Sequence, residues 1–199
     1  MMTAEEKTIN ALIERALALG ATAAVIMPAR SLVVEDRFAE MCAAPQRCPS
    51  YGLAPGCPPH AILPSVFREQ LQQYRSILVF KIDAPISALM GPERVGIARR
   101  IHRIAAALEQ EALHLGVVRA RGLAAGSCKE LFCAKDAACV VLRHQQPCRH
   151  PDLARPSLSA LGVNFTALAE SVGWRFDKID PMVNDQSAMG LMAGLVLLG

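Results

Sequence analysis

This chain lacks any marked excess of charge of one sign: 21 Lys and Arg against 18 Asp and Glu leave a formal net charge of +3. So small a balance provides no strong field for a phosphate backbone. The densest basic cluster, Arg99, Arg100 and Arg103, has helical spacing and reads as a solvated helix face, so no nucleic-acid partner is expected. Long apolar runs are missing too. The longest, Leu191 to Leu198, falls well short of the ~20 residues that span a bilayer, so no membrane partner is expected. A glycine-rich phosphate loop is absent, and no Ser-His-Asp signature can be placed. The first residues, MMTAEEKTINALIERALALG, have no basic n-region, no continuous apolar h-region and no small-residue cleavage site. They do not read as a secretory signal, and a cytoplasmic location is the expectation. Aromatic residues are few at 5%, although 52% of the chain is apolar, so the core must be mainly aliphatic. With 199 residues, the length suits one large domain or two small ones.

What the chain does have is cysteine in an ordered pattern. Cys42, Cys48 and Cys57 are separated by five and then eight residues, and Cys133, Cys139 and Cys148 repeat both intervals. Cys128 precedes the second group. A disulfide framework requires an oxidising compartment and is at odds with an odd count of seven. Cysteines serving as small core hydrophobes have no reason to gather among prolines. Thiolates grouped in this way read as ligands of a metal or an iron–sulfur cluster.

The organisation along the chain supports an α/β reading. Thr3 and Glu6 form a capping box, Ile9, Leu12, Ile13, Ala16 and Leu17 mark one helical face, and Gly20 closes the helix. Ala23 to Val34 reads as extended. A loop with Pro45, Pro49, Pro55, Pro58 and Pro59 carries the first cysteines, Ser65 caps a helix to Tyr74, and Ile77 to Ile82 is a buried strand. Pro92 suits the first turn of a second long helix with the stripe Ile97, Ile101, Ile104, Leu108, Ala112 and Leu115, ended by Gly116. A strand over Val117 to Leu123 follows, then the second cysteine loop. A helical stretch runs from Pro156-Ser157 toward Val172, broken at Gly162 and ended by Gly173, before a last strand, Leu191 to Leu198. Both halves read helix, strand, cysteine loop, Pro-Ser, helix, strand. The cysteines are offset by 91 residues and the Pro-Ser pairs by 92. The expected fold is one α/β domain over residues 1–199, with helices packed on a small mixed sheet and two cysteine-rich loops brought together. Its possible repeat halves are 1–85 and 86–199.

Cys128, Cys133, Cys139 and Cys148 provide the four thiolates that saturate a cubane cluster or one zinc ion. Cys42, Cys48 and Cys57 provide three, leaving one position open or filled by another ligand. Zinc knuckles place two to four residues between paired cysteines, and only Cys128 and Cys133 fit that range. Wider spacings wrap a larger cluster, so one or two iron–sulfur clusters, of the 4Fe-4S type, are the expected cofactor, with zinc the alternative. Cys48-Pro49 and Cys57-Pro58 are similar to the Cys-Pro ending of ferredoxin loops. His60, His144 and His150 lie near the loops and read as solvated unless they complete a mixed site. His102 and His114 read as surface or boundary residues of the long helix. Asp83, Glu93 and Asp136 are acid–base candidates that no spacing singles out.

Cys48-Pro-Ser-Tyr-Gly followed by Cys57-Pro-Pro resembles the first half of a family of small bacterial and archaeal proteins described as predicted metal-binding proteins. Gly126-Ser-Cys128, Cys148-Arg-His-Pro and Arg155-Pro-Ser157 resemble its second half, and the Leu161-Gly162-Val163 and Gly173-Trp174 neighbourhoods are similar as well. The resemblance implies a metal role without a settled reaction, with ligands at Cys48, Cys57, Cys128, Cys133, Cys139 and Cys148, and Cys42 fitting too. Members of the family often carry closely spaced cysteines after the Gly-x-Cys element. Here four residues separate Cys128 from Cys133 and five separate Cys133 from Cys139, so the grouping into centres stays open. Three functions are compatible: electron transfer with a redox partner protein, catalysis on a small-molecule substrate at an open iron, and a zinc-stapled binding module.

Overall fold

A computed structural model describes residues 3–177 and 188–199. In chain order it contains α1 (Ala4–Ala18), β1 (Ala23–Pro28), a 3-10 turn (Ala29–Ser31), α2 (Asp36–Glu40), α3 (Pro64–Leu71) and β2 (Ser76–Pro85). Next come α4 (Ile86–Met90), α5 (Arg94–His114), β3 (Ala120–Leu123), α6 (Cys128–Phe132) and α7 (Val140–His144). A second 3-10 turn (Ser159–Leu161), α8 (Phe165–Ser171) and β4 (Met189–Leu198) complete it.

The strands form one sheet in the order β1-β2-β4-β3. The α/β class is as expected, but all three pairings are antiparallel, so the sheet is not mixed. Its centre is the long β2·β4 ladder, which sets Ile77 opposite Leu197 and Val79 opposite Leu195. Side chains alternate between faces along a strand. Leu78, Phe80 and Ile82 therefore meet α1 and α5 on one face, with Leu12, Ala16, Ile101 and Leu108 in the same cluster. Ile77 and Val79 meet α3 and α8 on the other, through Phe67, Leu71 and Leu168. Gly194 lies opposite Phe80, and a Cβ there would come within 2.5 Å of the Phe80 ring. The ring fills that space and locks the two central strands together.

Several helix limits follow their sequence signals. Thr3 and Glu6 cap α1 reciprocally, at 2.7 and 3.1 Å. Both long helices end with the same device: Ala21 N–H donates to Ala16 O and Val117 N–H to Ala112 O, with Gly20 and Gly116 at φ 97° and 87°. Both ends also read Ala-Leu-x-Leu-Gly, at Ala16–Gly20 and Ala112–Gly116.

Other limits move. The extended segment expected over Ala23 to Val34 stops at Pro28, where the chain enters the 3-10 turn. Leu63, not Ser65, caps α3, because Pro64 takes the first helical turn, and the helix ends at Leu71 rather than Tyr74. Pro92 stands just ahead of α5, whose cap is Glu93. β3 begins only at Ala120, the first residue with a partner on β4. Among the described residues no helix is long and apolar enough to cross a membrane.

Candidate metal centre

Both cysteine loops are built from turns, because repeated proline leaves few amides for regular structure. In the first, Cys48 N–H donates to Cys42 O, Tyr51 N–H to Cys48 O, and Gly52 N–H to Pro58 O at 2.8 Å. The second leaves β3 and folds around Lys129, whose ammonium donates to Cys133 O at 2.7 Å and Asp136 O at 2.8 Å. The loops are stitched together beyond the carboxyl end of β3. Ala124 forms a parallel bridge with Ser157, and Ser157 N–H donates to Gly56 O. Gly56 permits this approach: a Cβ on it would lie 2.9 Å from Pro156 Cα.

The stitching gathers all seven cysteines, every one a free thiol, into two neighbouring groups. Cys42, Cys48 and Cys57 lie on the wall of a cavity of about 550 Å3 that also includes Ser127 and Glu130. Cys128, Cys133, Cys139 and Cys148 lie on the wall of a second cavity, of about 360 Å3, with Phe132, His150 and Arg155. Cys128 joins the two groups. Burial, and then the neighbouring Cys57, Cys148, Cys139 and Cys133, push its thiol up to about 12. Burial likewise raises Cys42, with Cys48 and Cys57 adding to the effect. It raises Cys57 as well, against a smaller downward pull from the adjacent Ser127 hydroxyl. Cys133 is raised by burial and then by Asp136, whose own carboxyl is lowered chiefly by the Arg149 guanidinium 2.5 Å away.

The chemistry of this donor set is the structural test of whether a metal group fits. Buried thiols that neighbour one another resist ionising, and a bound metal offsets that charge while releasing their protons. The donor set is soft, which suits iron–sulfur clusters, zinc or copper(I). No group of three or more His, Cys, Asp or Glu side chains among the described residues lies close enough together to hold one metal ion. The thiols line cavity walls instead of converging on a point.

The remaining candidates separate. His150 lies on the second cavity, its ring 5.7 Å from Phe132, and its N–H donates to Cys148 Sγ at 3.4 Å. His60 and His144 are exposed and line neither cavity. Asp83 pairs with Lys81 and Thr22, and neither it nor Glu93 lines either cysteine cavity. Arg100 and Arg103 are exposed, whereas Arg99 holds the Leu131 carbonyl at 2.7 Å. His114 is exposed, as expected. His102 is not a boundary residue: it is fully buried, packed edge-on to Phe132 at 5.5 Å, and accepts from Arg155 N–H at Nδ1. The α5 stripe left it out because a polar side chain does not register as apolar.

Sequence reasoning assigned no role to three further residues. Arg155 is almost fully buried and pairs with Glu109 at 3.0 Å, while also donating to the carbonyls of Pro151 and Ala154. Glu109 in turn accepts from Gly122 N–H. Ser127 is 3% exposed, and its Oγ lies beside the Cys57 thiol without a well-formed hydrogen bond to any described residue. Its only sequence signal was its place between Gly126 and Cys128.

Fold and site together define an α/β protein with two adjacent cysteine-lined cavities. The chain belongs to the family described as predicted metal-binding protein (DUF2284), which matches residues 25–198. No curated protein and no solved structure matches it.

Proposed function

We propose that this chain is an iron–sulfur protein with two neighbouring centres. The second group of cysteines would give one centre four thiolates, and Cys42, Cys48 and Cys57 would give the other three. One observation carries the reading: seven cysteines from loops far apart in sequence gather into two adjacent groups, each lining a cavity. Thiols spread around a cavity suit a group with several metal atoms better than a single zinc ion, whose ligands sit about 2.3 Å from one point.

A cluster bound there supplies one-electron oxidation and reduction. The chain's own groups support that task. The His150 backbone N–H donates to Cys148 Sγ. A donor of this kind favours added negative charge at the cysteine sulfur. Cys139 and Cys148 are only half-buried, within reach of a redox partner at the surface. The three-thiol group leaves one position for a further donor or a small-molecule substrate. The sheet order, with α1 and α5 on one face and α3 and α8 on the other, supports reading residues 1–85 and 86–199 as related halves of one domain.

The test is the visible spectrum of full-length protein purified without oxygen. Broad absorption that bleaches with dithionite and returns on reoxidation is expected. A colourless protein that retains zinc would replace this reading with a zinc-stabilised module.

A further inference from the structure

The first group of thiols is one donor short, and the chain holds an unused donor beside it. Ser127 occupies the cap position of α6, where a serine side chain ordinarily accepts from a backbone N–H of the first turn. Here it makes no such bond, although its carbonyl accepts from Leu131 N–H. Its hydroxyl is buried with no well-formed hydrogen bond among the described residues, and the group it meets is the Cys57 thiol of the first cavity, an arrangement that calls for an explanation. Ser127 forms part of the wall of the first cavity, next to Cys57, while the adjacent Cys128 lies on the wall of the second. The Ser127-Cys128 pair thus straddles the two groups, with the thiol turned to one and the hydroxyl available to the other. Glu130, also on the first cavity, is paired with Arg94.

We infer that Ser127 Oγ is the fourth, oxygen donor of the centre held by Cys42, Cys48 and Cys57. The inference rests on the iron–sulfur reading above and decides a point within it. A centre closed by Ser127 has no open iron for a substrate, so both centres act as electron carriers. One oxygen among sulfur donors also makes the two electronically unequal, which gives electrons a direction between them.

The experiment compares anaerobically purified full-length wild type with S127A and S127C, by iron K-edge X-ray absorption and by the rate at which a chelator removes iron. Wild type should show an oxygen donor beside sulfur. In S127C that oxygen should be replaced by sulfur, with the iron content kept. In S127A a fraction of the iron should leave about tenfold faster or more. An oxygen donor that persists in S127C, together with an unchanged rate of iron loss in S127A, overturns the inference and leaves the iron–sulfur reading standing. Wild type without iron and sulfide overturns both.

Discussion

Burying His102 neutral makes the stability of this protein depend on pH in a defined window. The ring is fully enclosed between α5, Phe132 and the chain around Arg155. Burial is the main cause that brings its pKa from the ordinary 6.5 down to about 4. The carbonyls of Leu153, Ala125 and Gly126 oppose the shift, and the Arg155 cation adds to it. Between those values the unfolded chain takes up a proton that the folded chain refuses. The contribution of His102 is therefore complete above pH 6.5 and is lost as pH falls toward 4. At ~1.4 kcal/mol per pH unit it amounts to about 3 kcal/mol. Urea unfolding at pH 7.5 and 4.5 measures it when wild type is compared with His102→Gln, which keeps an acceptor for Arg155 N–H but does not titrate. The comparison cancels groups common to both proteins. Wild type should lose about 2.5 kcal/mol more than the variant over that interval, the remainder being lost below pH 4.5. Equal losses would refute the claim that a buried neutral imidazole supports this side of the site.

Three other perturbations have defined outcomes. Glu109→Ala strips the buried Arg155 guanidinium of its carboxylate and Gly122 N–H of its acceptor, and should cost about 3 kcal/mol in denaturant unfolding. Gly162→Ala forces a side chain into a φ of 79°, with its Cβ 2.7 Å from Glu35 O and 2.9 Å from Pro64 Cβ. A loss of about 2 kcal/mol or more is expected, seen as a lower Tm. Cys57→Ala and Cys148→Ala should each lower the metal content of anaerobically purified protein, and full retention in both would defeat the site assignment.

Local features of the fold were legible because their causes are local. Thr3, Glu6, Gly20 and Gly116 set the ends of the long helices through bonds reaching only a few residues. The stripe from Ile97 to Ala112 shows which face of α5 is covered. β2 was read too short, because Ser76 and Asp83 are polar residues at its ends that are held by ladder pairing and not by burial. The helices of five residues, α2, α4, α6 and α7, are too short to display a period. That β4 lies between β2 and β3 is a non-local choice that no window of sequence contains.

The site divides in the same way. The two groups of cysteines could be read from their spacing, and each group lines a cavity of its own. The contact between the groups depends on Gly56 meeting Pro156, which only the folded chain brings together. Ser127, His102 and Arg155 were missed because a polar residue becomes informative only once it is known to be buried.

The most direct test of the central claim is the iron, zinc and acid-labile sulfide content of the full chain purified without oxygen. Two cubane centres predict iron and sulfide in equal amounts, about eight of each per chain. One or two zinc ions with no sulfide would contradict the account.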